Sequence, residues 1–258
     1  MAVEYGPDGL LGVLTPQANT TVEPEFAILL PPRMAMLNAR LTSPKPTIAA
    51  RLVDYVDGLD VAATQFANAP VGAIAFACTG ASYLVGAAAE DAAVARLEAR
   101  TGQPFITAAR AVCDALGALG ARRIGLVSPY PPDLTEASAA YWRARGFTVA
   151  RIVAAAAPDA AFHPIYAMSA GSAAEALGGM AGAGVDAIIM LGTGMPTLGP
   201  ILDRPAVDGA PVLSCMTAIA WRCVIALRGD APDGAELRGW IQGQGWRTRY
   251  AQRMTIPA

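Results

Sequence analysis

The sequence predicts an α/β protein of two similar halves, each a parallel sheet with helices on both faces, closing around one cleft. Three observations carry that expectation. Residues 71–80 (VGAIAFACTG) and 185–194 (VDAIIMLGTG) align without gaps at an offset of 114 and agree at five of ten positions, Val71/Val185, Ala73/Ala187, Ile74/Ile188, Thr79/Thr193 and Gly80/Gly194. Gly12-Val13-Leu14-Thr15-Pro16 matches Gly125-Leu126-Val127-Ser128-Pro129 at an offset of 113. Two separate segments that agree to within one residue point to a duplicated architecture. Each matched segment is also a short apolar run ending in small or turn residues, as a strand buried on both faces requires.

Strands are expected at 10–15, 71–77, 123–128 and 185–191, with weaker ones near 37–41, 104–107, 147–153 and 211–214. Alanine-rich stretches with helical spacing lie between them at 47–67, 86–101, 108–119, 134–145, 169–183 and 215–228. Strand and helix in alternation give βα units and a mainly parallel, doubly wound sheet in each half. The expected division places 1–107 with 215–258 in the first half and 108–214 in the second. The nearest thing to a linker is 154–164, too short for a flexible tether, so the halves should associate closely.

Composition narrows the function. The 258 residues are 54% hydrophobic and 16% charged, with a net charge of −2 and no long basic run, which argues against a nucleic-acid partner. No apolar run is long enough for a membrane span, and residues 1–12 lack the layout of a secretion signal, so a cytoplasmic protein is expected. His163 is the only histidine and Cys78, Cys113, Cys215 and Cys223 form no CxxC pair, so no metal site is expected. Lys45, the only lysine, lies in Ser43-Pro44-Lys45-Pro46, a poor setting for a buried Schiff base. Chemistry without a cofactor, run by thiol, hydroxyl, carboxylate or backbone groups, is what remains.

Ligands of open parallel sheets bind beyond the carboxyl ends of the strands. The four duplicated strands end in Pro16-Gln17-Ala18-Asn19-Thr20-Thr21, Cys78-Thr79-Gly80-Ala81-Ser82, Ser128-Pro129-Tyr130 and Gly192-Thr193-Gly194-Met195-Pro196-Thr197. Under a pseudo-twofold, Cys78 and Gly192 occupy equivalent stations on opposite sides of a ligand. Cys78 is either a small buried hydrophobe or the reactive group, and its strand-end position favours the latter: N–H groups of a helix start can acidify the thiol, which could act as a thiolate nucleophile or base or, still protonated, as a proton donor. Thr79, Gly80, Thr193 and Gly194 offer hydroxyls and amides to a carboxylate or an oxyanion. Asn19 adds a neutral donor, although Asn19–Glu23 also reads as a helix cap. Tyr130, between prolines, either reaches the cleft or packs. Cys113, Cys215 and Cys223 fill cores, and His163 belongs to loop structure. GTGMPTLG at 192–199 has the wrong spacing for a dinucleotide loop.

These residues together resemble the aspartate/glutamate racemase superfamily, in its branch of maleate cis-trans isomerases and arylmalonate decarboxylases. The likeness runs most of the chain and rests on Pro16-x-x-Asn19-Thr20-Thr21-x-Glu23, Ala77-Cys78-Thr79, Pro129-Tyr130 and Gly192–Thr197. It implies two pseudo-symmetric, flavodoxin-like halves with the site in the cleft between them. It implies a small carboxylate or dicarboxylate substrate, no cofactor, and Asn19, Thr79, Gly80, Ser82, Tyr130, Gly192, Thr193 and Gly194 around it. Racemases of the superfamily use a cysteine on each face of the substrate. Here Cys78 matches the first and Gly192 stands at the second, which is unsuited to two-base racemisation because glycine moves no proton. Ser82 stands where isomerases tend to have asparagine. The decarboxylases carry the reverse pattern, glycine first and cysteine second. The spacing from Cys78 through Tyr130 to Gly192 is similar to theirs, whereas the Asn-Thr-Thr loop is similar to that of the isomerases.

Two reactions are therefore expected for a lone cysteine. Decarboxylation with Cys78 as proton donor comes first, and cis-trans isomerisation with Cys78 as nucleophile is the alternative. A non-catalytic small-acid binder is a third reading. Sparse charge and an alanine-rich face also allow a homo-oligomer.

Overall fold

The computed structural model describes residues 3–156 and 163–255. The middle of the linker candidate at 154–164 lies outside the described residues. The first part of the chain runs β1 (Gly9–Pro16), α1 (Val22–Leu29), β2 (Met34–Leu41), α2 (Ile48–Asp57), α3 (Leu59–Ala63), β3 (Ala73–Phe76), α4 (Thr79–Val85), α5 (Ala87–Thr101), β4 (Phe105–Thr107) and α6 (Ala108–Leu119). It continues with β5 (Arg123–Ser128), α7 (Pro132–Ala144), β6 (Thr148–Ala154), α8 (Ala170–Gly178), β7 (Ala187–Met190), α9 (Leu198–Asp203), β8 (Ala206–Val207), β9 (Ala210–Ser214), α10 (Cys215–Arg228), α11 (Gly234–Ile241) and α12 (Arg247–Met254).

Two sheets result, in the orders β2-β1-β3-β4 and β6-β5-β7-β9-β8. Every pairing is parallel except that of the two-residue β8 with β9. The shared order is that of a doubly wound fold whose chain reverses direction between its first and third strands. The register repeats the duplication as well. Gly12 pairs with Ile74 in one sheet, and the corresponding Gly125 pairs with Ile188 in the other.

Composition explains which strands are central. Every residue of β3 (AIAF) and β7 (AIIM) is buried, whereas the edge strands β2 and β6 expose several positions. Central strands of a doubly covered sheet read as continuous apolar runs for this reason. The strand glycines make room for the covering layer. A Cβ on Gly12 would lie 2.8 Å from the Phe66 ring, and one on Gly125 would lie 2.8 Å from Met180 Sδ. α10, capped by a Ser214–Thr217 box, is buried along most of its length and packs on α6 and on β1, β3 and β4.

All eight expected strands form. The expected helix at 47–67 is instead α2, α3 and a 3₁₀ turn at Thr64–Phe66, because the chain breaks at Gly58. The helix expected at 169–183 stops at Gly178, short of a run containing four further glycine and alanine residues.

Candidate active site

β1 and β3 end side by side, as do β5 and β7, and the loops that follow them line one narrow pocket. Pro16, Cys78, Thr79, Gly80, Tyr130, Gly192, Thr193 and Gly194 line it from the strand ends, and Ile48, Leu52, Leu134, His163, Ile165 and Tyr166 from above. Seven of the nine residues expected at the site are therefore brought together. Asn19 and Ser82 are not among the lining residues.

Asn19 is 1% exposed and its side chain binds the protein. Its Oδ1 accepts the Thr21 and Val22 N–H groups at 2.8 and 3.2 Å, and its Nδ2 donates to Thr193 O at 3.3 Å. The direct contact with a carboxylate expected of it is thus replaced by a strap that starts α1 and ties it to the loop after β7. Ser82 points into the interior, with a buried Oγ that has no partner. Other straps cross the same boundary: Thr193 Oγ1 donates to Ala77 O at 2.8 Å, and Thr21 Oγ1 donates to Gly194 O at 2.8 Å.

Cys78 is the last extended residue before α4, at φ −147°, with its side chain 4% exposed. The amides of Gly80 and Ala81 face its sulfur and favour the thiolate, but burial outweighs them and pushes the thiol up to about 12. Of the two protonation states open from the sequence, burial favours the thiol. The helix-start donors are present, yet the apolar walls withhold the solvation an anion needs, so Cys78 is held as a proton-bearing thiol.

Gly192 lines the same pocket as Cys78 with φ +85°, a conformation that suits glycine. A Cβ there would meet Tyr130 Oη and Pro129 Cγ at 3.2 Å. The phenol of Tyr130 thus fills the space beside the station opposite Cys78, anchored by a 2.9 Å hydrogen bond with Thr79 Oγ1. Burial raises the Tyr130 hydroxyl well above its ordinary value, so it remains a donor.

Gly194 is needed for packing. A Cβ on it would stand 2.4 and 2.5 Å from two carbons of the Tyr166 ring, which stacks on His163 at 3.8 Å and 16°. Gly194→Ala must displace that ring pair, and it is expected to cost about 1–3 kcal/mol in chemical denaturation and to raise KM more than it lowers kcat. Unchanged stability and KM would contradict this packing.

His163 is a pocket-lining residue that sequence reasoning missed. It faces the pocket with a buried Nδ1 that has no partner among the described residues, and burial and nearby Arg51 lower its pKa. Its only sequence signal is that it is the single histidine, since nothing local in Phe162-His163-Pro164 marks it. Cys215 is fully buried as expected, but directly behind the site, facing the Gly192 amide and the hydroxyls of Thr79 and Tyr83. Burial raises all four thiols. Alkylation at neutral pH should therefore be slow throughout, with the half-buried Cys113 modified first. Rapid selective labelling of Cys78, read by mass spectrometry, would show the thiolate that the pocket disfavours.

Among the described residues no group of three His, Cys, Asp or Glu side chains could hold a metal ion, and no helix is long and apolar enough to cross a membrane.

A thiol, a phenol and small-residue loops gather in one pocket at the strand ends of two matched parallel sheets, the arrangement of a two-part α/β enzyme. The arylmalonate decarboxylase family model matches residues 11–237, and the chain belongs to that family, within the aspartate/glutamate racemase superfamily. The maleate isomerase of Pseudomonas putida KT2440 is 28% identical over 232 residues, covering 84% of this chain and 91% of the relative. The crystal structure of the maleate isomerase Iso from Pseudomonas putida S16 is 27% identical and superposes with a TM-score of 0.76 over 85% of this chain and 92% of that one. A liganded double mutant of arylmalonate decarboxylase is 22% identical and shares the fold at a TM-score of 0.73, over 86% of this chain and 94% of that one.

Proposed function

We propose that the protein decarboxylates a malonate bearing an apolar substituent, with Cys78 as the single proton donor. The observation that carries this reading is a neutral, buried thiol facing a pocket whose opposite station is glycine. One carboxylate would lie among Thr79, Thr193, the Tyr130 hydroxyl and the amides of the Gly80 and Gly194 loops. The other would face Ile48, Leu52, Leu134 and Ile165, where its charge is poorly solvated. The bond from Cα to that carboxylate breaks and carbon dioxide leaves. The electron pair passes to an enediolate held by the polar donors. The Cys78 S–H then protonates Cα, and the thiolate left behind regains a proton from water. His163 supplies a further hydrogen bond to the retained carboxylate.

A second, wider and mainly apolar chamber of about 360 Å³ opens beside the pocket and shares Ile48, Tyr130, Leu134 and Ile165 with it. Such a space suits an aryl group and has no use for maleate.

Sequence likeness to maleate isomerases favours a second reading. There Cys78 gives up its proton, its sulfur adds to the double bond, the new single bond rotates, and elimination restores the alkene. The two readings separate on incubation with phenylmethylmalonate and with maleate. Carbon dioxide from the first supports decarboxylation; fumarate from the second without carbon dioxide from the first replaces it with isomerisation. Four free thiols suit a cytoplasmic setting.

A further inference from the structure

The carboxyl of Glu25 lies beneath the loop that closes the pocket from the β7 side. It comes from α1, is 5% exposed, and its Oε1 accepts the Thr197 N–H at 3.1 Å where that loop enters α9. The Leu198 amide faces it as well. Glu23, two residues earlier, is paired with Arg40, but Glu25 has no cation among the described residues. Its Oε2 and the Thr197 Oγ1 are both buried without partners among the described residues. The contact holds the far end of the loop whose near end Asn19 and Thr21 fasten.

We propose that Glu25 is a positioning residue, a proton-carrying clasp that keeps the 193–197 loop seated while neutral and releases it on ionising. Burial supports this by raising the carboxyl from 4.5 to about 8, more than the two amides lower it. When the loop lifts, Glu25 meets water and regains its ordinary acidity. Below about pH 4.5 the carboxyl is protonated in both the seated and the lifted states. Between 4.5 and 8 only the seated state keeps the proton, so rising pH favours lifting, by up to about tenfold per pH unit. Above 8 both states are ionised and the trend levels off.

Other groups near Glu25 do not produce this pattern. From α12, Tyr250 titrates above its ordinary range, and Arg249, held on Ile28 O and Leu29 O, remains charged. From α10, Arg222 and Arg228 are paired with Asp114 and Glu236, and its buried thiols are raised. Asp203 of α9 faces Tyr250. His163, across the loop, has a lowered pKa and would favour lifting at low pH, the opposite sign.

Amide hydrogen exchange of peptides covering 191–200, corrected for the intrinsic rate and followed from pH 5.5 to 9 in the full chain, tests the clasp without needing turnover. The opening constant should rise steeply to about pH 8 and then flatten, and Glu25→Gln should abolish the rise while remaining seated. A flat wild-type profile, or the same rise in Glu25→Gln, overturns the proposal. Should Glu25→Gln fail to fold, the wild-type profile decides alone. Failure of both candidate substrates to react would sink the functional reading and leave this result untouched.

Discussion

Cys78→Ala is expected to lower turnover by about 10²–10⁴-fold, the contribution of a positioned proton donor. Affinity for an unreactive dicarboxylate should stay within about twofold, because the carboxylate donors are other groups: Thr79, Thr193, Tyr130 and the loop amides. Loss of the sulfur from a nearly buried site should cost only about 1 kcal/mol of stability, as small deletions do. Cys78→Ser should be as inactive. A serine hydroxyl is a far weaker acid than a thiol and a poorer nucleophile, so neither mechanism survives it. Steady-state kinetics with calorimetric binding provides the check. Turnover retained in Cys78→Ala would remove the thiol from the mechanism, whereas affinity kept in Cys78→Ala with no turnover even in the wild type would favour the non-catalytic binder.

Asn19→Ala should have the second large effect, on stability and turnover together. It leaves the Thr21 and Val22 N–H groups without their acceptor and Thr193 O without its donor, in a region sealed from water. Each buried group left unpaired costs about 1–3 kcal/mol, and partial relaxation of the loop should bring the total to about 2–4 kcal/mol. Because the same bonds fix Thr193, substrate should bind more weakly even where the variant is folded. Asn19→Asp makes a sharper comparison. It keeps the acceptor for the two amides and loses the donor to Thr193, so it should recover much of the stability and little of the affinity. Urea unfolding of both variants, set beside their KM values, distinguishes a strap from a substrate ligand. A near-normal stability in Asn19→Ala with a greatly raised KM would return Asn19 to direct contact with the ligand.

Much of the architecture was legible because duplication leaves two copies of one physical requirement. Strands buried on both faces need unbroken apolar runs, and 71–77 and 185–191 supplied them in register. The loops after them were legible for the same reason, and seven of nine expected site residues line the pocket. Asn19 was misassigned since an amide that caps a helix and one that binds a carboxylate use the same residue type in the same kind of loop. His163 was missed because it reaches the pocket from between β6 and α8, outside the duplicated strand ends. The state of Cys78 was left open because sequence shows the helix start that stabilises a thiolate but not the burial that opposes it. The short helices α1, α9, α11 and α12 went unassigned, since at six to eight residues each carries too few turns to show a period.

The arrangement of Cys78 opposite a residue that cannot move a proton has a direct stereochemical consequence. Protonation of a planar enediolate from one fixed side yields one hand of product. The most direct measurement is the enantiomeric composition of 2-phenylpropionate formed from phenylmethylmalonate. Decarboxylation to a single predominant enantiomer is predicted, of the hand opposite to that produced by a cysteine at the station of Gly192. A racemic product, or no carbon dioxide while maleate is converted to fumarate, would contradict it.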